Sequence, residues 1–443
     1  METIFAKYRK TAERVDPIKC VGRISKVQGI LVESRGPQAT VGELCRIMAG
    51  RTVILAEVVG LRDQFVQLMV YGETRGIEIG DRVIASGSPL EVPVSGELLG
   101  RVLDYTGRPL DGKGEIGGGL YYPAMAKPQD PLSRPQVTER IVTGVRAIDG
   151  LLAVGRGQRM GIFAGSGVGK STLLGMIARN TNADVNVVAL IGERGREANE
   201  FIENVLGPQG LAHSVVIIST SDSPPLARLR GAYTATAVAE YFRDQGMDVM
   251  LLFDSVTRVA RAQREIGLAG GEPPATRGYP PSMSESMPKL LERSGTSAKG
   301  TITGFYTILV EADDMDDPVA DTVRGILDGH IFLSRELAQA NHYPAIDVLQ
   351  SISRKADVVA GKENSRAAGI IRRHLAVYGE AEDLINVGAY HTGSNPDIDA
   401  AIAKRPSIRD FLIQDTEEPC PLEETLQRLA EIAEPPVSGS EAS

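Results

Sequence analysis

The chain of 443 residues contains no apolar run approaching the roughly 20 residues that a membrane span requires. Its opening stretch, METIFAKYRKTAERVD, is charged throughout and lacks the apolar core of a secretion signal. The expected location is therefore the cytoplasm, with any membrane association peripheral and made through partners. Cysteine is scarce. Cys20, Cys45 and Cys420 are odd in number and far apart, which speaks against a disulfide framework or a metal cluster and for reduced thiols. An excess of positive charge is also missing: 48 Lys and Arg stand against 57 Asp and Glu, a net charge of −9. The basic residues are scattered, so nucleic acid is not an expected partner.

A hydrophobic content of 42% is ample for real cores, and the length suits two or three domains. Pattern divides the chain. Residues 1–18 place Ile4, Phe5, Tyr8, Ala12 and Val15 near helical spacing with charges between them, an amphipathic helix. Residues 19–93 change to short alternating runs such as RISKVQGILVES, TVILAEVVGL, QFVQLMVYG and DRVIAS, broken by Gly and charged turns, the mark of a small β-barrel. Across residues 94–344 strands and helices alternate, which gives an α/β fold with a mostly parallel sheet covered on both faces. MGIFAG, VNVVALIG, SVVIIST, VMLLFDS and TGFYTILVE are its candidate strands, with a ligand expected at their carboxyl ends. Residues 345–434 turn helical, and the tail 435–443, PPVSGSEAS, is small and polar enough to be disordered.

Between an apolar strand and a helical run lies GSGVGKST, residues 165–172. A phosphate-cradling loop needs glycines so that consecutive backbone N–H groups turn toward one anion, a lysine for the outer phosphates and a hydroxyl for Mg²⁺. Gly165, Gly167 and Gly169 supply the turns, Lys170 the charge and Ser171 the hydroxyl, while Ser166, Val168 and Thr172 complete the nucleotide-binding stretch. The strict pattern has a glycine five residues before Gly169, where this chain has Ala164; alanine is tolerable there if its φ stays negative.

Two carboxylates follow at strand tips. Glu193, in GERGRE after VNVVALIG, can orient or deprotonate a water in line with the γ-phosphate. Spacing alone leaves open a solvated salt bridge from Glu193 to Arg194 or Arg196. In VMLLFDS five apolar residues deliver Asp254 to a strand's exposed end, where a second Mg²⁺ anchor is expected, and Arg258 four residues on can point back at the phosphates.

These pieces stand in the order and spacing of the rotary ATP synthase catalytic subunit and its secretion relatives. With LLGRVLDYTGRPLDG, QREIGLAGGEPPATRGYPPS, LLERSG, VADTVRGILDGHIFLSRELA and NHYPAIDVLQSISR, nearly the whole chain resembles the flagellar protein export ATPases, with the injectisome ATPases as close cousins. The resemblance implies a β-barrel domain, a RecA-like core and a helical C-terminal domain, assembled as a homohexameric ring with sites for ATP and Mg²⁺ between subunits. Lys170, Ser171, Glu193, Arg194, Asp254 and Arg258 match positions around the triphosphate and metal. Glutamine in place of Glu193 would mark a non-hydrolysing subunit.

By the same resemblance Tyr343 stacks on adenine, where an apolar plate suffices and packing under the helical domain is the alternative. Arg354, by sequence a surface arginine, is promoted by the resemblance to a finger reaching the neighbouring subunit's γ-phosphate. Residues 270–282, too rich in Pro and Gly for a helix or central strand, look like a loop facing the pore and a stalk-like protein or translocating chain; a rigid connection at a subunit contact is the alternative. The N-terminal helix would dock on a stator-like regulatory export protein at the inner-membrane export apparatus, where the export gate, chaperones and cargo are the further partners. A hexameric RNA translocase shares the core but wants an aromatic-bearing barrel, and residues 20–93 offer only Phe65 and Tyr71. A rotary-synthase catalytic subunit and a non-enzymatic assembly platform are the other rivals.

Overall fold

The computed structural model describes residues 21–117, 119–310 and 317–434. The expected N-terminal helix and the tail 435–443 lie outside the described residues.

Alternation in the first strands becomes a closed barrel. Val21–Gln28, Leu31–Arg35, Phe65–Val70, Thr52–Arg62, Glu43–Ala49 and Arg82–Pro89 follow one another around it, and the last pairs back to the first. Every second side chain turns inward, so Ile24, Val32, Cys45, Ile47, Ala56, Val58, Val66, Leu68 and Val83 fill the interior. Both barrel aromatics are engaged. Tyr71 is buried and stacks on Tyr105 with ring centroids 5.5 Å apart, and Phe65 lies under the Arg35 guanidinium.

The barrel is fastened to the core through a buried polar clamp. Arg230 donates from Nε to Glu57 Oε2 at 2.7 Å and from Nη2 to Glu57 Oε1, while Tyr71 donates its hydroxyl to Glu57 Oε2 at 2.7 Å. Glu57 and Arg230 are both buried. Burial pushes the Tyr71 hydroxyl far above its usual value, with the Glu57 charge adding to the effect, so Tyr71 stays a donor. Removing one partner of such a pair leaves an uncompensated charge inside and costs about 3–5 kcal/mol, whereas replacing both by apolar residues is far milder. Arg230→Met alone is therefore expected to lower the melting temperature by several degrees, and Glu57→Leu added to it to recover most of the loss, as a thermal melt would show.

The core sheet runs, from one edge, Ile346–Ser353, Gly329–Leu333, Arg159–Ala164, Thr301–Leu309, Asp248–Asp254, Val185–Ile191, Ser214–Ser219, Arg101–Leu103. All are parallel along this path except the first, which is antiparallel to its neighbour. The strands read as continuous apolar runs because both faces are covered. Val187, Ala189, Ile191, Leu251 and Phe253 face helices Pro225–Asp244, Val256–Ala269, Pro281–Leu291 and Pro318–Ile326. Val188, Leu190, Met250 and Leu252 belong to the other face, with helices Arg146–Leu151 and Lys170–Asn180 and residues of the C-terminal helices.

One boundary moves. The helical region was expected from residue 345, but Ile346–Ser353 pairs with Gly329–Leu333, so the sheet continues to Ser353 and the long helices begin at Lys362–Asn386. Pro396–Leu412 and Leu422–Ala433 complete that region. It is tied to the core by Arg146, which donates from Nε to Phe411 O at 3.0 Å and also bonds Glu418 and Ile413 O. Gln414 adds three bonds: its Oε1 accepts from Arg146 N, its Nε2 donates to Gly144 O, and its backbone N–H donates to Tyr343 O at 3.0 Å. No helix among the described residues is long and apolar enough to cross a membrane.

Candidate active site

The strand order decides which side chains meet. Arg159–Ala164 ends in the glycine-rich loop, and Thr301–Leu309 separates it from Asp248–Asp254, beyond which lies Val185–Ile191. Strands sit about 4.8 Å apart, so two intervals, roughly 10 Å, separate the loop strand from the Asp254 strand. A lysine side chain from the loop can bridge that gap.

Ala164 is the buried last residue of its strand, opposite Leu309 and Leu333, and φ is positive instead at Gly167 (79°) and Gly169 (92°). The departure at Ala164 thus falls where no left-handed residue is needed. Gly169 caps helix Lys170–Asn180, whose Leu173, Leu174, Met176 and Ile177 are buried. Anchored there, the helix aims its unpaired N-terminal N–H groups into the loop, an anion site. Ser166, Ser171 and Thr172 are exposed and Val168 is buried.

Lys170 Nζ lies 2.5 Å from Asp254 Oδ1 and 3.5 Å from Glu193 Oε1, and all three side chains are largely withdrawn from water. Burial pushes the Lys170 ammonium down, but the Asp254 and Glu193 carboxylates outweigh it and hold the group above its usual value. The lysine is charged at neutral pH. The surface-salt-bridge reading of Glu193 does not hold, because Arg194 pairs with Glu197 at 3.3 Å and Arg196 with Glu200 at 2.8 Å.

Gly192 carries Glu193 into place. Its φ is 74°, and a Cβ there would stand 2.7 Å from Arg258 Cβ, so only glycine lets the Arg258 stem pass. Arg258 Nε is buried and has no hydrogen-bond partner among the described residues. A buried, orphaned guanidinium N–H whose stem packs against the glycine just before Glu193 suits an oxygen-rich anion.

Thr307 was not singled out from sequence. It is fully buried in the middle strand, and its Oγ1 donates to Asp254 Oδ1 at 2.8 Å. A threonine hydroxyl inside the apolar run FYTILV, next to the acid-bearing strand, is the signal that could have revealed it.

Tyr343 is 39% exposed, and its ring is close enough to the loop that a Cβ on Gly169 would stand 3.5 Å from it. Arg194 is 80% exposed and pairs with Glu197. Arg354 is also exposed, at the far end of the sheet. Ile346 pairs with Leu333 on the loop side, while Ser353 pairs with Gly329 at the opposite end. Eight strand residues span roughly 25 Å, far beyond the reach of an arginine side chain. Arg354 therefore does not belong to the site of its own chain.

Family models match three consecutive parts: the β-barrel domain of the ATP synthase alpha/beta family over residues 24–87, the nucleotide-binding domain of that family over 144–353, and the C-terminal domain of the EscN ATPase of type III secretion over 360–431. The flagellum-specific ATP synthase of Treponema pallidum is 56% identical over 98% of both chains, and that of Bacillus subtilis 53% over 95% of this chain and 97% of its own. The type 3 secretion system ATPase of Xanthomonas euvesicatoria is 51% identical over 93% of this chain and 94% of its own. Among solved structures, the assembled ATPase EscN of enteropathogenic E. coli superimposes with a TM-score of 0.89 at 45% identity, covering 93% of this chain and all of that one. A second, of EscN with its central stalk EscO, has a TM-score of 0.87 at 44% identity over 93% of this chain and all of that one. With a phosphate loop, two strand-tip carboxylates and this likeness over nearly its full length, the chain belongs to the ATP synthase alpha/beta family, in the branch of flagellum-specific and type III secretion ATPases, and is an ATPase.

Proposed function

We propose that this ATPase hydrolyses ATP with Mg²⁺ at sites shared between neighbouring subunits of a homohexameric ring and thereby energises or primes export of flagellar proteins through a type III apparatus. The observation that carries this reading is the convergence of Lys170, Glu193 and Asp254 at the carboxyl ends of three strands, with Arg354 held at the opposite end of the sheet.

The donor set fits the metal. Mg²⁺ prefers hard oxygens and takes one or two protein ligands beside phosphate oxygens and water, which the Asp254 carboxylate and Ser171 hydroxyl provide. When bound, it supplies charge that stabilises the β- and γ-phosphate oxygens. Backbone N–H groups of residues 165–172 cradle the phosphates, and Lys170 leaves Asp254 for the β- and γ-oxygens. Glu193 orients the attacking water and accepts its proton. Arg258 and the neighbour's Arg354 steady the departing phosphoryl group, and Tyr343 offers its face to adenine. Arg194, exposed in a single chain, acts only if a neighbouring subunit closes over it.

A ring of this kind has a pore, and residues 270–282 are the segment proposed to face it and a stalk-like protein. A complex of EscN with its central stalk supports that partner. The N-terminal segment is proposed to bind a stator-like export protein, which would hold the enzyme peripherally at the inner-membrane export gate with chaperones and cargo. Injectisome duty is the second reading, favoured by the 51% identity to a type 3 secretion system ATPase.

The test is ATP turnover by the purified chain with and without Mg²⁺, beside Lys170→Ala. Removing the ammonium is expected to weaken nucleotide binding by about 100-fold or more, on the scale of charge-assisted contacts to phosphate. Unchanged affinity in that variant, read by titration with a fluorescent ATP analogue, would remove Lys170 from the phosphate site.

A further inference from the structure

We propose that Thr307 is a positioning residue that sets the direction in which Asp254 presents its carboxylate to the metal, an inference that rests on the reading of Asp254 as metal anchor. Thr307 sits on the strand wedged between the loop strand and the Asp254 strand, is fully buried, and places Oγ1 2.8 Å from Asp254 Oδ1 and 3.2 Å from Phe253 O. A hydroxyl has one proton to give. A bond to a carboxylate is roughly twice as strong as one to a neutral carbonyl, so the proton goes to Asp254.

The consequence lies in the second donor on the same oxygen. Lys170 Nζ also bonds Oδ1, at 2.5 Å. Once a triphosphate draws the ammonium to its own oxygens, Thr307 is the donor that still holds Oδ1. The terminal torsion of an aspartate is soft, and pinning one oxygen fixes where the other points. Asp254 itself is buried at the strand end. Residues that orient metal-binding carboxylates in this way are worth about 10–100-fold in metal affinity.

A purely structural threonine would serve as a β-branched strand residue, and valine does that equally well. Thr307→Val keeps the shape and deletes the donor; Thr307→Ser keeps the donor. The experiment measures equilibrium binding of a fluorescent ATP analogue to wild type and both variants, in excess Mg²⁺ and in EDTA. In Thr307→Val the affinity in EDTA is expected to stay within about twofold of wild type, while the gain from Mg²⁺ falls about tenfold, and Thr307→Ser is expected to restore it. An undiminished gain in Thr307→Val, an equal loss with and without Mg²⁺, or a serine variant no better than valine overturns the proposal. If Thr307→Val does not fold, Thr307→Ala against Thr307→Ser reads the same quantity. A wild-type protein with no gain from Mg²⁺ would instead count against the metal reading of Asp254.

Discussion

Glu193→Gln is expected to bind Mg-ATP as tightly as the unaltered chain and to lose about 10²–10⁴ in kcat, the range that a positioned general base contributes. The amide keeps the size of the side chain but cannot take a proton from water. Glu193 reaches Lys170 only at 3.5 Å, against 2.5 Å for Asp254, so most of the lysine's anchoring survives the change. Binding and turnover should therefore separate. Single-turnover hydrolysis beside a nucleotide titration checks this; parallel losses in both would make Glu193 a structural partner of Lys170.

Arg354→Ala is expected to leave nucleotide affinity and the melting temperature nearly unchanged and to cut turnover of the assembled protein by on the order of 10³ or more. The side chain is exposed, and its backbone N–H donates to Asp328 O at 3.0 Å, a bond that alanine keeps. Its own phosphate loop is out of reach, so any large kinetic effect has to be exerted on another chain. Turnover per chain, followed from dilute to concentrated protein, should rise steeply for the unaltered enzyme and stay flat for Arg354→Ala. Equal activity per chain at dilutions where the ring dissociates would remove Arg354 from catalysis.

The barrel and the five central strands were legible because their periodicities are clean: alternation where one face meets a barrel interior, unbroken apolar runs where both faces are covered. Ile346–Ser353 does not stand out from the helical region in sequence although Ile346, Val348, Ser351 and Ser353 turn inward, because an edge strand with exposed Leu349 and Ile352 has neither pattern in full. The phosphate loop could be read residue by residue, since each position has its own chemical demand. Glu193 could not be separated from a charged surface loop until the arginines beside it were seen to pair with Glu197 and Glu200. Thr307 escaped notice because its role depends on a neighbouring strand 53 residues away in sequence. Arg354 shows the opposite limit: only a family likeness pointed to it, and the fold adds the fact that it stands at the wrong end of its own sheet to act there.

Supply of Arg354 in trans is tested most directly by mixing two inactive variants. In a ring built from equal amounts of Glu193→Gln and Arg354→Ala subunits, random assembly makes about one interface in four combine an intact Glu193 with an intact neighbouring Arg354. Neither variant alone has such an interface. ATP turnover of the mixture is expected to recover to about a quarter of the unaltered enzyme. A mixture as inactive as its two components would contradict catalysis shared between subunits.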